Sequence, residues 1–164
     1  MITLIAAVDQ EDGIGKNGSI PWNNFEDMNF FKNETTGGAI IMGSRTWASL
    51  NRVPLPNRVN IVVGTTYIKD MEHHTGHTLL CFVSSVEGAI ALAMKMRSRI
   101  YGIGGERIYE SMLPLADRIL LSVIPGKYGC DTFFPSFDSY KWKRTQLSFP
   151  NLEVIEHLRK APSL

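Results

Sequence analysis

Cysteine is scarce: Cys81 and Cys130 are the two in 164 residues. They lie far apart and form neither a disulfide framework nor a metal-ligand spacing, which excludes a small cross-linked secreted scaffold and predicts thiols in a reducing compartment. An excess of one charge is lacking too. Lys and Arg number 17 against 16 Asp and Glu, a net of +1, so nothing electrostatic points to nucleic acid or a membrane surface as a partner. No apolar run approaches the length of a bilayer-spanning helix, and Met1-Ile2-Thr3-Leu4 carries no basic leader. A cytoplasmic chain without membrane or nucleic-acid partners is expected. There is no internal repeat, low-complexity tract or interdomain linker, so residues 1–164 are expected to form one domain. A chain of this length buries roughly 70% of its unfolded surface, enough for a sizeable core.

What is present is an alternation of strand and helix signals. Ile2 to Val8 is too continuously apolar for an exposed edge and predicts a buried central strand. Asp9 to Asn24 is a long loop punctuated by Gly13, Gly15 and Gly18, of a length that in compact domains is usually functional, often a lid. A helix follows, with Asn23 or Asn24 as its cap and Glu26 and Asp27 in its first turn. Ala39 to Met42 reads as a short buried strand ended by Gly43, Ser44 to Leu50 as a helix, Asn51 to Arg58 as a proline-rich loop and Val59 to Val63 as a strand. Tyr67 to Thr78 lacks periodicity and reads as surface loop; its His73, His74 and His77 have no partner carboxylate or cysteine at metal-ligand spacing, so no metal is expected.

Leu79 to Val83 predicts a strand and Ser84 to Arg97 a helix, with Ser84 and Glu87 as a capping box. Val86, Ala89, Ile90, Ala93 and Met94 form its core-facing stripe. Strands at Arg99 to Ile103 and Arg118 to Ile124 flank a helix from Glu106 to Met112, and Asp131 to Phe134 reads as extended. Trp142 to Phe149 and Leu152 to Leu158 predict a hairpin around Pro150-Asn151. The fold class is therefore α/β: a central, mostly parallel, twisted sheet with an antiparallel C-terminal edge and about four helices.

Asp27 is the residue to weigh first. An acid in a first turn is ordinarily a helix-start charge turned to solvent, but Asp27 shares its face with Met28 and Phe31. Apolar neighbours such as Met28, Phe31 and Ile5 raise a carboxyl's pKa by desolvation; the helix dipole lowers it by only about 0.3–1 kcal/mol, so burial wins in a dry cleft. A carboxyl near neutrality can bind a planar N–C–N heterocycle through both oxygens. Gly102-Ile103-Gly104-Gly105-Glu106-Arg107 is superficially similar to a dinucleotide fingerprint and fails it, since Arg107 holds the third glycine position and no acid follows at the required distance. Its paired glycines at a strand-to-helix junction still permit close backbone approach to a pyrophosphate.

Taken in order, Val8-Asp9 to Gly13-Ile14-Gly15, Ile20-Pro21-Trp22, Asp27, Phe31-Lys32, Ile41-Met42-Gly43, Thr46-Trp47 and Pro54-Leu55-Pro56-Asn57-Arg58 resemble the dihydrofolate reductase family. Ile103-Gly104-Gly105-Glu106-Arg107-Ile108-Tyr109 and Gly129-Cys130-Asp131-Thr132 extend that likeness over essentially the whole chain. The resemblance implies NADPH-dependent reduction of 7,8-dihydrofolate, binding of antifolate inhibitors, and a monomer. It implies that Asp27, Trp22 and Ser122 are catalytic, Asp27 promoting protonation of N5, Trp22 acting through water, and Ser122 standing where the family usually has Thr. Around Asp27 it implies a substrate cleft of Ile5, Ala6, Met28, Phe31, Leu50, Leu55, Ile103, Tyr109 and Ser122, with Arg58 clamping the carboxylate of the glutamate tail. For the cofactor it implies Ala7, Ile14, Ile20, Gly43, Ser44, Arg45, Thr46, Gly64, Thr65, Thr66, Gly104, Gly105, Glu106, Arg107, Ile108 and Tyr109, with a cis bond between the paired glycines. Two departures concern the adenosine 2′-phosphate: Ser44 stands where many members have Arg, and Gly64 where Ser is common, leaving Arg45, Thr46, Thr65 and Arg107 to hold it. A pyrimidine reductase of riboflavin synthesis shares the architecture, but that reaction has no glutamate tail for Arg58 to clamp; a scaffold without catalysis would not need Asp27, Ser122 and both glycines.

Overall fold

The computed structural model describes residues 1–64 and 73–162. In chain order the elements are β1 (Ile2–Val8), β2 (Gly13–Gly15), α1 (Phe25–Thr35), β3 (Ala39–Gly43), α2 (Ser44–Ser49), β4 (Val59–Val63), β5 (His73–Thr75) and β6 (Thr78–Val83). Then come α3 (Val86–Lys95), β7 (Ile100–Gly104), α4 (Glu106–Met112), β8 (Arg118–Val123), β9 (Thr132–Phe133), β10 (Trp142–Phe149) and β11 (Leu152–Arg159). One sheet of nine strands runs in the order β10-β11-β8-β1-β7-β3-β4-β6-β5. Its six inner strands are parallel, and β11, β10 and β5 are antiparallel to their neighbours. This is the mostly parallel α/β sheet with an antiparallel C-terminal edge that the sequence predicts.

The period of two divides each strand between two cores. From β1, Leu4, Ala6 and Val8 join Ala89, Ile90, Ala93, Ile108 and Met112 on the side of α3 and α4. Ile5 faces the other way, with Ile40, Met42, Trp47, Tyr101 and Leu120, and there Phe30, Phe31, Leu50, Leu55 and Ile103 pack over them. Most side chains of the expected substrate cleft lie on this second face, while Ala6 and Tyr109 belong to the first.

Four local expectations change. The cap of α3 is Ser85, whose hydroxyl accepts from Gly88 N at 3.0 Å. Ser84 is not the cap, because Ser85 is still extended and lies three residues before the first free amide it can reach. Met94 is 63% exposed rather than core; it lies about 80° around the helix from Val86, at the margin of the buried stripe. The loop from Asp9 to Asn24 is partly ordered into strand: β2 pairs with β9, and Lys16 bridges Ser19. Glycine makes this pairing possible, since a Cβ at Gly13 would stand 2.5 Å from Cys130. Finally, part of the segment read as surface loop is β5, turned onto β6 through Gly76 at φ +61°; the rest, 67–72, lies outside the described residues.

Candidate active site

In the sheet β7 sits between β1 and β3, and the chain then passes over β1 to reach β8. Such a reversal opens a crevice at the carboxyl ends of the strands. Ala7, Ser122, Gly43, Gly64 and Gly104 all lie at or just beyond those ends.

Asp27 reaches the crevice from the first turn of α1. Asn24, in extended conformation, caps the helix by accepting from Asp27 N at 2.9 Å, which fixes where the helix starts and which face Asp27 occupies. Burial raises its pKa, and a hydrogen bond from the Ser122 hydroxyl partly opposes that shift. Met28 is 59% exposed, so the desolvation comes from the sheet side and not from Met28. Ser122 is buried and stands beside Ala7 in the β1–β8 pairing. Tyr109, from α4, is buried and donates its hydroxyl to Ile5 O at 2.8 Å. Burial and the neighbouring Asp27 charge push its pKa up, so it stays a protonated donor. Asp27, Ser122, Tyr109 and Ile5 are thus brought together, with Phe31, Leu50, Leu55 and Ile103 packed on the same face of the sheet.

Arg58 lies further along this face and is 5% exposed. Its Nε donates to Pro56 O at 2.9 Å, Nη1 donates to Thr35 Oγ1 at 3.1 Å, and its guanidinium carbon stands 6.0 Å from the Phe31 ring centre. Burial lowers its pKa. Among the described residues it has no carboxylate partner.

The other half of the crevice is lined by backbone. Gly43 stands beside the paired glycines, where a Cβ on it would lie 3.9 Å from Gly104 O and 4.0 Å from Gly105 N, and a Cβ on Gly64 would lie 3.8 Å from the Ser44 side chain. The Gly104-Gly105 bond is cis. Whereas α1 and α3 carry side-chain caps, α2 and α4 begin at Gly43 and Gly105 with none, which leaves their first N–H groups open to a bound group. Ser44, Arg45 and Arg107 are exposed and Thr46 is half-buried beside them. Glu106 accepts from Phe133 N at 3.4 Å, tying α4 to β9. Ile108 is packed in the α3–α4 core, and Ala6 beside it. Thr65 and Thr66 lie outside the described residues. Among the described residues no group of His, Cys, Asp or Glu could hold a metal ion.

Over the crevice Ile14 packs against the core, Ile20 is exposed, and the Trp22 ring meets Tyr128 edge-on at 5.2 Å. Sequence reasoning gave Asp9 no role, yet it organises this region. Its buried Oδ1 accepts from Glu11 N and Gly13 N, both at 2.9 Å, and its Oδ2 from Tyr128 N at 3.0 Å and Cys130 Sγ at 3.6 Å. One carboxylate therefore pins the loop that carries Trp22 to the β8–β9 loop that carries Tyr128. Burial works to raise its pKa, but these donors outweigh it and the net shift is downward. An Asp directly after a buried strand and four residues before a glycine is the signal that marks it. Asp9→Asn should cost about 1–3 kcal/mol in denaturant unfolding, because the amide nitrogen cannot accept the bonds left to it. With the folded pKa depressed, the native carboxylate's contribution is present above the ordinary Asp value and is lost as pH falls through the folded one; the variant should lack that acid-dependent part.

A cleft carboxyl beside a glycine-lined groove, at the carboxyl edge of a parallel sheet, is the arrangement of an α/β oxidoreductase. The sequence model of the family described as dihydrofolate reductase matches residues 1–156, and the chain belongs to that family. It is 39% identical over 156 residues to the dihydrofolate reductase of Buchnera aphidicola subsp. Baizongia pistaciae, covering 95% of this chain and 88% of that one. To the Bacillus subtilis enzyme it is 38% identical over 143 residues, covering 87% and 80%. A solved structure of dihydrofolate reductase from Enterococcus faecalis, complexed with NADP(H) and RAB-propyl, superposes with a TM-score of 0.80 at 26% identity, over 98% of this chain and 97% of that one.

Proposed function

We propose that this protein reduces 7,8-dihydrofolate to 5,6,7,8-tetrahydrofolate with NADPH. The observation that carries the reading is the Asp27 carboxyl, half-buried on α1, bonded by the Ser122 hydroxyl and near enough to Tyr109 for its charge to raise the phenol pKa. The glycine junctions Gly43, Gly64 and Gly104-Gly105, with the uncapped starts of α2 and α4, fit the pyrophosphate of a dinucleotide. Bound NADPH supplies a hydride from its nicotinamide ring to C6 of the substrate.

Everything else falls to the chain's own side chains. Asp27 holds the amidine edge of the pterin and promotes delivery of a proton to N5, so that hydride and proton together saturate the C6–N5 bond. Ser122 orients the carboxyl, and Trp22 reaches the substrate through water. Ile5, Phe31, Leu50, Leu55 and Ile103 form the apolar slot, with Met28 at its open rim and Ala6 offering it only backbone since its side chain turns to the other core, and Arg58 takes the glutamate carboxylate. Ala7, Ile14 and Tyr109 flank the nicotinamide side and exclude water from it, with the exposed Ile20 at its rim and Ile108 holding α4 from within the α3–α4 core. Antifolate inhibitors would occupy the same slot. The protein is proposed to act as a cytoplasmic monomer of one domain; no described helix is long and apolar enough to cross a membrane. Dihydrofolate-dependent oxidation of NADPH, followed by absorbance, tests the reading, and failure to oxidise NADPH on addition of dihydrofolate would contradict it.

Ser44, Arg45, Thr46, Arg107 and Glu106, with Thr65 and Thr66, form the proposed adenosine end. With Ser44 in a frequent Arg position, Arg45 carries more of the 2′-phosphate recognition as a charge-assisted donor. Arg45 is exposed, so Arg45→Ala should raise the KM for NADPH by roughly tenfold at low salt, with little change for NADH. The contrast should shrink at high salt; equal losses for both cofactors would show that Arg45 supports the helix or the pyrophosphate instead.

A further inference from the structure

A second polar anchor of α1, away from the crevice, has no part in the mechanism above. Glu34 follows Asp27 by seven residues, two helical turns, so both project from one face of α1. On β8, Arg118 and Ser122 are four residues apart and share one face of the strand. Asp27 is bonded by Ser122, and Glu34 by Arg118. The two spacings match, since two turns of helix advance about 10.5 Å and four strand residues about 13 Å. Helix and strand are therefore joined at two points, one in the crevice and one at the opposite end of the sheet.

Strands β7, β1 and β11 contribute to this second anchor beside β8. Tyr101 of β7, two residues before Ile103, is 1% exposed and donates its hydroxyl to Glu34 Oε1 at 3.2 Å. Thr3 of β1, two residues before Ile5, accepts from Arg118 Nε at 3.2 Å. Glu156 of β11 pairs with Arg118 Nη1 at 3.6 Å. Arg99 completes the group: its Nη1 donates to the Tyr101 hydroxyl at 3.0 Å and to Glu34 O at 3.3 Å, and its Nη2 to Thr36 O at 2.7 Å, which satisfies carbonyls at the C-terminal end of α1. Apolar packing alone leaves a helix free to slide or roll by small amounts on a sheet. Directional bonds from Glu34 to two strands, β7 and β8, do not.

We propose that Glu34, held by Arg118 and Tyr101, is a positioning residue that sets the height and rotation of α1 on the sheet and so the placement of Asp27 against Ser122. The inference rests on the reading of the crevice as a dihydrofolate site, and one readout of its test needs no turnover.

Single-turnover hydride transfer is measured at pH 7 for wild type, Glu34→Gln and Tyr101→Phe, each with Asp27 intact and with Asp27→Asn, beside carbon-NMR titration of the Asp27 carboxyl in ligand-free protein. Tyr101→Phe removes one oxygen and no charge, which keeps the test open should Glu34→Gln fold poorly, and separates placement from long-range charge. With Asp27 intact, the rate should fall about three- to tenfold while the KM for NADPH is unchanged, and the Asp27 titration should move. In the Asp27→Asn background the same substitutions should cost less than twofold. Equal losses in both backgrounds, no loss in either, or an unmoved titration would overturn the proposal. A wild type without dihydrofolate-dependent activity but with a titration that moves would overturn the functional reading and leave the positioning role standing.

Discussion

Asp27→Asn should slow hydride transfer by about 10²–10⁴ near neutral pH while leaving the fold and much of the ligand binding in place. The amide keeps the size and most of the hydrogen-bonding shape of the carboxyl, but it can neither take up nor promote transfer of a proton to N5. Among the described residues no other acid interacts with Ser122 and Tyr109, so the loss should not be made good by a neighbour. Stability should move the opposite way. A carboxyl whose folded pKa is raised gives its full contribution below the unfolded value and loses it as pH rises through the folded one; above that folded value the charge on half-buried Asp27 is thus a cost to the fold. Removing that charge should raise the Tm of the ligand-free protein. Slower chemistry in a more stable variant would separate catalysis from damage; a variant as fast as wild type at pH 7 would remove Asp27 from the mechanism.

Arg58→Leu should weaken binding of substrates with a glutamate tail by about 2–5 kcal/mol, roughly thirtyfold to several-thousandfold. The guanidinium is almost fully buried, and its two hydrogen bonds to Pro56 O and Thr35 Oγ1 hold it in one orientation. Of its five N–H donors, the remainder suit a carboxylate taken bidentately. The downward pKa shift has burial as its cause, the mark of a cation held without a compensating anion. A pterin without the tail should bind Arg58→Leu almost as it binds the wild type. Equilibrium binding of both ligands decides the matter: equal losses would make Arg58 a structural residue that holds Pro56 and Thr35 together.

Local chemistry made much of this legible in the sequence. The continuous apolar run of β1, the Asn24 cap and the placing of Asp27 in a first turn are all short-range properties, and each appears in the structure as read. The hairpin of β10 and β11 likewise follows from its turn, where Asn151 takes a positive φ. Contacts across the chain were not legible. Asp9 meets Tyr128 across 119 residues, and Arg118 meets Glu34 across 84. A single carboxylate in a sequence carries no sign of a partner so distant. Nor does period-two patterning say which strands are neighbours, so the position of β7 between β1 and β3, which opens the crevice, emerges only in the fold. The errors at α3 have the same origin in reverse: Ser84 and Ser85 are equivalent as sequence signals, and the last extended residue decided between them.

One carboxyl handles the proton in this mechanism, and the pH dependence of single-turnover hydride transfer tests this most directly, with wild type and Asp27→Asn measured side by side. Burial raises the Asp27 pKa above its ordinary value of 3.8. The wild-type rate should therefore hold a plateau at low pH and fall as pH rises through the raised value. In Asp27→Asn the rate should keep climbing as pH falls, without a plateau, because only solvent then protonates N5. Superimposable profiles for the two proteins would contradict the assignment of the proton to Asp27.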